Sequence, residues 1–396
     1  MLFPEAQRIL QQLLAPLTLD EFLDKTLSGG LQRIDGAGAA ERIALLGPDP
    51  RAVLLGAFHL APKLTFHSAN PSGPAPSLAG VADADDFRAR IGQFHARNYS
   101  VRFPELRTLW PQLDRVARAL ELMLHKPVTT SAFWSRAGMR APVHYDDHDL
   151  IVVQLLGEKR WYVANSSDLP NTWRSVPATV ELGPHTSFDV HPGDLVYLPR
   201  GTLHSVTSEG ESLHASIGFT PLTLREAIIA ALDQLSDVDR TLRTTVGGRL
   251  AYQLQGAGLE RLAGPVLEGI ERLRAACRTP GFLAAALQGR SARAVATLAA
   301  LPAPAQPPPV ELDTELTHTD AAFCHLTASP ERIDFSHPGG HVYLHRGAEQ
   351  SLLYMVNTPR FRVRDVPGEI ADDVRLSLAR KLVEIGFLTP APPPTG

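Results

Sequence analysis

Two histidines and one aspartate have the spacing of a metal site. His144 and Asp146 form an H-x-D pair, and His204 closes the downstream segment HPGDLVYLPRGTLH. Two imidazoles and one carboxylate can occupy one face of an octahedral metal and leave the opposite face open, which is the facial triad of non-haem Fe(II) sites. An H-x-D pair alone is common, but a histidine that follows a strand-like PGDLVYLP segment makes the pattern specific. The sequence therefore predicts a metal site.

Strand geometry would bring these ligands together. Residues i and i+2 of a strand point to the same face, so a strand through His144 and Asp146 directs both side chains at one metal. His204 must come from a later strand. The sequence between Asp146 and His204 is long enough for several strands that return alongside the first.

Other histidines receive weaker predictions. His148 shares the strand parity of His144, so it faces either the site or a neighbouring loop. His185 and His191 lie in turn-rich sequence and are expected to face solvent. His214, in the segment LHASIGF, is either a hydrogen-bonded residue of the barrel or part of a polar pocket.

A facial-triad iron normally needs an electron source to activate O2, most often 2-oxoglutarate, which presents a second carboxylate deeper in the protein. Burying that carboxylate requires a cation. Lys159 and Arg160 follow the turn at Gly157 and Glu158, on a strand adjacent in sequence to the H-x-D pair. Adjacent strand residues face opposite sides, so one of the two cations faces the site and the other is a surface charge.

The elements around these residues are mostly short strands. From Val128 to Thr220, apolar segments alternate with Gly, Pro and charged turns, as in an all-β sandwich or barrel. The predicted strands are Ile151–Leu156, Lys159–Val163 and Leu195–Leu198. The pattern favours a double-stranded β-helix, a jelly-roll barrel whose mouth holds a small ligand.

Helices are predicted on the N-terminal side of this region. Thr18 and Glu21 read as a capping box that starts a helix through Phe22. The segment Leu113–Leu124 has apolar residues at helical spacing and predicts an amphipathic helix. Pro62–Pro76 is rich in Pro, Ser, Ala and Asn and predicts an irregular loop.

The chain after Thr220 becomes helical. Thr223 and Glu226 form a second capping box, and helical patterns continue through Leu259–Ala276 and Gly281–Leu287. The proline-rich run Leu301–Val310 predicts a stiff, extended linker.

The last block, Glu311–Leu388, mixes strand-like and helical pieces. Phe361–Arg364 predicts a strand, and Ile370–Ile385 predicts an amphipathic helix that ends before Gly386. A small α+β module of the winged-helix type fits this pattern, and the tail PAPPPTG predicts disorder. Acidic residues outnumber Lys and Arg across the block, so no direct nucleic-acid binding is expected.

Composition places the chain among globular proteins. It has 396 residues, of which 44% are hydrophobic and 20% charged, and its formal charge of −4 gives no basic footprint for nucleic acid. The two cysteines, Cys277 and Cys324, form no C-x-x-C pair, so neither a disulfide scaffold nor a structural zinc site is expected. With no signal peptide or membrane span in the pattern, a cytoplasmic protein is predicted.

These residues carry a family resemblance. HYDDHDLIVVQLLGEKRW, with LPRGTLH downstream, resembles the ribosomal-oxygenase branch of the JmjC (cupin-like) 2-oxoglutarate oxygenases. The upstream segments LTLDEFLDKTL, NYSVRFPELRTLWP and SAFWSRAG resemble the same branch. The resemblance implies that Lys159, fifteen positions after the first metal histidine, binds the 2-oxoglutarate carboxylate in preference to Arg160. It also implies a hydroxyl near the cosubstrate at Ser216.

The resemblance implies an α+β architecture in three parts. These are a JmjC/cupin oxygenase domain with an N-terminal helical extension (1–220), a helical dimerisation domain (221–300) and a winged-helix-like module (311–390). The implied activity is an Fe(II)- and 2-oxoglutarate-dependent hydroxylase that works as a homodimer. Its expected target is a protein or peptide side chain, with a ribosomal-protein His or Arg as first choice.

Two departures bear on the substrate. The approach to the triad is the short GMRAPVH rather than a longer Gly-Phe-Pro-type loop, and the early segment FLDKTL lacks an aromatic pair. Loops around a barrel mouth select the substrate, so oxidation of a peptide or small molecule in a biosynthetic pathway stays open. The same residues leave open a non-catalytic JmjC-like binding module and a cupin enzyme that uses its metal without 2-oxoglutarate. The intact triad argues against the binding module, and Lys159 argues against both.

Overall fold

The structure is a computed structural model that describes residues 3–27, 30–47, 49–165, 180–245, 257–301, 303, 305–319 and 322–392. The chain divides into two compact units, residues 1–220 and 221–396. Among the described residues, no helix combines the length and the apolar character needed to cross a membrane.

The first unit surrounds two antiparallel sheets with helices. Its helices are α1 (Phe3–Leu14), α2 (Leu19–Leu27), α3 (Ala39–Leu46), α4 (Pro50–Leu55), α5 (Ala84–His95) and α6 (Pro111–Leu124). Its strands are β1 (Gln32–Ile34), β2 (Thr65–His67), β3 (Ser100–Pro104), β4 (Thr129–Ser135), β5 (Met139–Arg140), β6 (Asp149–Leu156), β7 (Lys159–Ala164), β8 (His185–Val190), β9 (Leu195–Leu198), β10 (His204–Ser208) and β11 (Ser212–Phe219).

The sheets form the predicted jelly roll. The larger has the order β1-β9-β6-β11-β4-β3-β2, and the smaller has the order β5-β10-β7-β8. An apolar cluster between them takes Val152 and Val196 from the larger sheet and Trp161, Val190 and Val206 from the smaller. Because both faces are covered, β6, β9 and β11 are buried almost throughout, which explains the mostly apolar sequences of β6 and β9.

The N-terminal predictions are confirmed with one exception. The hydroxyl of Thr18 accepts from the Glu21 backbone N–H at 3.1 Å, and the Glu21 carboxylate accepts from the Thr18 N–H at 2.8 Å, which completes the capping box. The loop predicted over 62–76 is wrong at its start, where β2 pairs with β3. Phe66 drives this pairing by packing on Phe94 and Tyr99, a tertiary contact that three residues of sequence cannot reveal.

The second unit contains helices and two small sheets. Its helices are α7 (Leu224–Val238), α8 (Ala257–Cys277), α9 (Phe282–Thr297), α10 (Glu349–Asn357) and α11 (Asp372–Glu384). Its strands are β12 (Glu315–His318), β13 (His325–Ala328), β14 (Arg332–His337), β15 (Gly340–His345), β16 (Arg360–Arg362) and β17 (Leu388–Pro390). The sheet orders are β16-β12-β17 and β13-β14-β15.

Predictions for the second unit hold in outline. The capping box of Thr223 and Glu226 is present at the start of α7. The strand predicted at 361–364 turns into a 3-10 helix after Arg362, and the tail predicted as disordered begins inside β17. Residues 393–396 of that tail lie outside the described residues. The division into domains 1–220, 221–300 and 311–390 stays a prediction.

Candidate metal centre and cavity

His144 and His204 are held side by side by their backbones. The N–H of each residue donates to the carbonyl of the other, at 3.0 and 2.8 Å, and their ring centroids lie 4.3 Å apart. His204 begins β10, as predicted. The strand predicted through His144 and Asp146 is wrong: both lie in the loop between β5 and β6, and His144 forms only an isolated bridge.

The loop nevertheless directs Asp146 at the same point. Its backbone carbonyl accepts from the Gly201 N–H at 2.8 Å, which ties the loop to the residues that lead into β10. Its Oδ2 lies 3.7 Å from His204 Nε2. One ligand atom from each of His144, Asp146 and His204 lies within 4.8 Å of the others, so the three groups can hold one metal ion.

Both imidazoles are oriented by backbone carbonyls. Nδ1 of His144 is 2.8 Å from the Pro142 carbonyl oxygen, and Nδ1 of His204 is 3.0 Å from that of Thr202. Each Nδ1–H therefore donates to the backbone, and each Nε2 keeps its lone pair for a metal. Burial and the neighbouring His144 lower the pKa of His204 to about 4, so its ring is neutral and ready to bind a metal at neutral pH.

A cavity of about 440 Å³ opens onto these three residues. Both sheets line it, and apolar side chains such as Leu150, Val152 and Val206 form much of its wall. Trp161 stacks on His204 with ring centroids 5.7 Å apart. Its indole Nε1–H is buried and has no hydrogen-bond partner among the described residues. The side chain that stacks on His204 therefore carries a buried donor without a partner among the described residues.

Lys159 lies in the wall of the same cavity. Its side chain is 1% exposed, and its Nζ is 3.3 Å from the Phe133 carbonyl oxygen and 3.0 Å from Nδ1 of His214. Burial lowers the pKa of Lys159 to about 7. Within the described ranges no carboxylate pairs with it, and a buried ammonium without a counterion fits a carboxylate brought by a ligand.

Arg160 faces the opposite way, as strand alternation requires. It is exposed and lies 3.4 Å from Asp189, so it is a surface ion pair. The turn that sets this register depends on Gly157, whose φ is +59°. A Cβ there would lie 1.8 Å from the Glu211 carbonyl oxygen, so only glycine fits.

His214 and Ser216 both line the cavity from β11. His214 is buried and contacts Lys159. It is therefore a hydrogen-bonded residue of the barrel and also part of the polar wall of the cavity, the two alternatives predicted from the sequence. Burial holds its pKa well below the usual range, with Lys159 adding to the shift. Ser216 is 6% exposed, and its role toward a cosubstrate stays a prediction.

The predictions for His185 and His191 are confirmed, and the alternative left open for His148 is decided toward the cavity. His185 and His191 are exposed. His148 lines the cavity and contacts Asp147 through Nδ1 at 2.8 Å. It fits beside β11 because residue 218 is glycine, where a Cβ would lie 2.4 Å from His148 Cδ2. That glycine within a strand was the available sequence signal.

Two cavity residues were missed from the sequence, His67 and Arg102. Thr65–His67 is too short to show a period, and Arg102 belongs to a strand more than forty residues before the triad. Both reach the cavity because β2 and β3 extend the larger sheet beyond β4. Only the pairing of β3 with β4 indicates this position.

These donors fit a facial-triad iron and a dicarboxylate ligand. Two imidazoles and one carboxylate on one side of a cavity match the set for non-haem Fe(II). The buried Lys159 and the orphaned Trp161 N–H are both donors without an anionic partner among the described residues. Neither group is explained by packing inside the barrel alone.

Comparison with known proteins agrees with this geometry. Residues 107–227 match the JmjC domain family, a range that contains the triad and Lys159. Ribosomal oxygenase 2 of Bos taurus is 30% identical over 224 residues, which cover 52% of this chain and 46% of that protein. The chain therefore contains a region similar to JmjC domains and resembles the ribosomal oxygenases. The resemblance stated from its motifs is confirmed.

Further relatives show how much of each protein's length this resemblance covers. The bifunctional lysine-specific demethylase and histidyl-hydroxylase NO66 of Drosophila persimilis is 31% identical over 129 residues, 31% of this chain and 19% of that protein. The chain spans less than half the length of the ribosomal oxygenase 2 relatives that it matches.

Solved structures of YcfD from Escherichia coli share the fold. One has a TM-score of 0.54 at 17% identity, and it covers 94% of this chain and 98% of YcfD. A second, a complex of that ribosomal oxygenase with cobalt and 2-oxoglutarate, has a TM-score of 0.54 at 14% identity, with 94% and 98% coverage. The similarity extends over both units and confirms the predicted jelly-roll fold class with its helical regions.

Proposed function

We propose that this chain is an Fe(II)- and 2-oxoglutarate-dependent hydroxylase that acts on a protein or peptide side chain. The observation that carries the proposal is the meeting, in one cavity, of a facial triad and a buried lysine that has no carboxylate partner among the described residues. A histidine or arginine of a ribosomal protein is the first candidate target, because the relatives with matching sequence are ribosomal oxygenases.

Each part of the site has a role in this proposal. His144, Asp146 and His204 would hold the iron, and Lys159 would bind the far carboxylate of 2-oxoglutarate. The bound iron and cosubstrate supply the oxidation of an unactivated C–H bond by O2. No side-chain general base is needed, so none is assigned.

The protein contributes orientation and exclusion of water. The carbonyls of Pro142 and Thr202 fix the imidazole rings before a metal arrives, which lowers the cost of assembling the site. The apolar wall around Val152 and Val206 keeps water from the reacting groups. The Ser216 hydroxyl is a donor in the cavity wall that can complete the hydrogen bonding of a bound dicarboxylate.

Succinate formation tests the proposal directly. The full chain is incubated anaerobically with Fe(II), 2-oxoglutarate and a cell lysate, and O2 is then admitted. Formation of succinate with oxygen gain on a protein supports the function. Absence of turnover, coupled or uncoupled, together with absence of metal uptake would overturn it. Succinate formed only with small molecules would favour a role in a biosynthetic pathway, and metal uptake without succinate would favour a cupin enzyme that does not use 2-oxoglutarate.

A homodimer is proposed for the helical part of the second unit. Large apolar side chains stand exposed on α7 and α8, with Leu224 at 78%, Leu267 at 62% and Ile270 at 53% exposure. A surface of this kind favours burial against a second copy. Sedimentation equilibrium should give a dimer that Leu224→Asp with Leu267→Asp converts to monomer, and a monomeric native chain would contradict the proposal.

The working environment is proposed to be the cytoplasm, where thiols stay reduced. Cys277 and Cys324 are both free in the structure, which suits that compartment. The winged-helix-like module at 311–390 is proposed to have a structural role without direct nucleic-acid contact, because acidic residues outnumber basic ones there.

A further inference from the structure

The cavity contains a second cation that the proposed reaction does not use. Arg102 lies on β3 directly across from Phe133 of β4, and its guanidinium carbon is 6.0 Å from the centre of that ring. The residue is half-buried and lines the cavity. Within the described part of the chain, its guanidinium forms no ion pair or hydrogen bond.

Arg102 and Lys159 serve different parts of the cavity. Lys159 is anchored to the Phe133 carbonyl oxygen and to Nδ1 of His214. His67 lies beside the same Phe133 side chain as Arg102, with its ring centroid 6.1 Å from that of Phe133, and it also lines the cavity. Arg102 therefore lies with His67 at the ring of Phe133, whereas Lys159 contacts the Phe133 backbone carbonyl.

The charge balance of the site leaves Arg102 uncompensated. Among the described residues that line the cavity, Asp146 is the one acid. The net charge is zero when a metal dication and 2-oxoglutarate, with its two carboxylates, are bound beside Asp146 and Lys159. Arginine stays protonated, so its charge in this half-buried position lacks a partner. A guanidinium placed this way favours a planar carboxylate, which it can bind through two parallel hydrogen bonds.

We propose that Arg102 binds a carboxylate of the substrate, so that the hydroxylated protein carries an Asp or Glu beside the oxidised residue. The inference rests on the proposed hydroxylase function and adds the chemistry of the recognised segment. His67 borders the same position. Its Nε2 is 3.0 Å from the Thr65 hydroxyl oxygen, so the position also holds a polar side chain other than the arginine.

Site mapping tests the inference. A lysate of the source cells with this gene deleted is treated with the full chain, Fe(II), 2-oxoglutarate and O2, and the residues that gain one oxygen atom are located by mass spectrometry. The expected result is an Asp or Glu within about two residues of the oxidised position. Arg102→Gln should reduce oxidation of those sites at least tenfold, and Arg102→Glu should abolish it. Arg102→Lys keeps the charge but loses the paired hydrogen bonds, so its rate should lie between those of Arg102→Gln and the native chain.

Two outcomes would overturn the inference while leaving the hydroxylase in place. One is oxidation without any acidic enrichment, and the other is an Arg102→Gln variant that oxidises the same sites as fast as the native chain. Arg160→Gln is the matched control, since it removes an arginine that faces solvent. A native chain that oxidises nothing and forms no succinate would instead overturn the proposed function itself.

The affinity for 2-oxoglutarate distinguishes substrate binding by Arg102 from a role of Arg102 as a second anchor for 2-oxoglutarate. Calorimetric titration of the Mn(II)-loaded full chain with 2-oxoglutarate should give the same affinity for the native chain and for Arg102→Gln, within about twofold. Lys159→Gln should lose the binding. A loss of affinity in Arg102→Gln comparable to that in Lys159→Gln would assign Arg102 to the cosubstrate and overturn the inference.

Discussion

In the first unit the rings of His144 and His204 lie 4.3 Å apart, and each ring uses its Nδ1 on a backbone carbonyl. In the second unit the histidines have separate partners. His318 uses its Nε2 on the Met355 carbonyl at 2.8 Å, and His341 pairs with Asp334 at 2.9 Å. Among the described residues, three metal-ligating groups converge in the first unit alone.

The contrast shows what turns a polar residue into a candidate functional one. His337 in the second unit has its Nδ1 on a backbone carbonyl at 3.0 Å, just as His144 does, yet it belongs to no metal-ligand cluster within the described residues. A nearby backbone carbonyl is enough to orient a histidine ring, but two distant chain segments must pair to bring several metal-ligating atoms together. The facing sheets of the first unit provide that pairing and leave donor atoms directed into a shared cavity.

The largest expected effect comes from removing a convergent ligand. Asp146→Ala should abolish Mn(II) binding and lower turnover by roughly a thousandfold or more, because a metal ion supplies several kcal/mol to such reactions. Asp334→Ala, in the second unit, removes a similarly half-buried aspartate that pairs with a histidine. It should leave metal binding intact. Electron paramagnetic resonance of bound Mn(II) measures metal binding by both variants. Equal binding by the two would contradict the proposed difference between the two aspartates.

The next effect compares a buried cation with an exposed one. Lys159→Gln should weaken 2-oxoglutarate binding to the Mn(II)-loaded chain by about 30-fold or more, since losing one partner of a buried charge pair costs about 2 kcal/mol at least. Arg160→Gln should change the affinity less than twofold, because its ion pair with Asp189 is solvent-exposed. Isothermal titration calorimetry gives both constants, and a reversed order would reassign the cosubstrate anchor.

A pH series sharpens the role of Lys159. Burial lowers its pKa to about 7 in the free protein, and only the protonated form attracts a carboxylate. Affinity for 2-oxoglutarate at saturating Mn(II) should therefore fall as pH rises above about 7, by up to about tenfold per pH unit. Lys159→Arg stays charged and should flatten this dependence in whatever binding remains. A native chain whose affinity is constant from about pH 6 to about pH 9 would contradict this.

The smallest expected effect concerns helix capping, since each unit contains a complete capping box. Thr18→Ala and Thr223→Ala each remove the capping hydroxyl of a complete capping box. Each should lower the free energy of unfolding by about 1 kcal/mol, as measured by urea denaturation. Similar losses in the free energy of unfolding would show that the two units use equivalent helix caps and differ only in how tertiary contacts gather ligand atoms. A loss above roughly 3 kcal/mol in one variant alone would show that the caps themselves differ.

Local rules and motifs in the sequence determined much of this molecule. Both capping boxes, the helix α6 and the strands that contain Lys159 and Leu195 follow from patterns a few residues long. The triad residues were identifiable because H-x-D and a distal histidine are specific when they occur together. The choice of Lys159 over Arg160 needed the family resemblance, since alternation shows only that the two face opposite sides.

The tertiary structure decided which residues share the cavity. His144 and Asp146 sit in a loop rather than a strand, and they converge because the loop is bonded to His204 and Gly201, contacts that lie far away in sequence. Arg102 and His67 enter the cavity through the pairing of β2, β3 and β4. Sequence periodicity gives the face of a strand but not its neighbour, so these residues and their chemistry become visible only once the sheet is assembled.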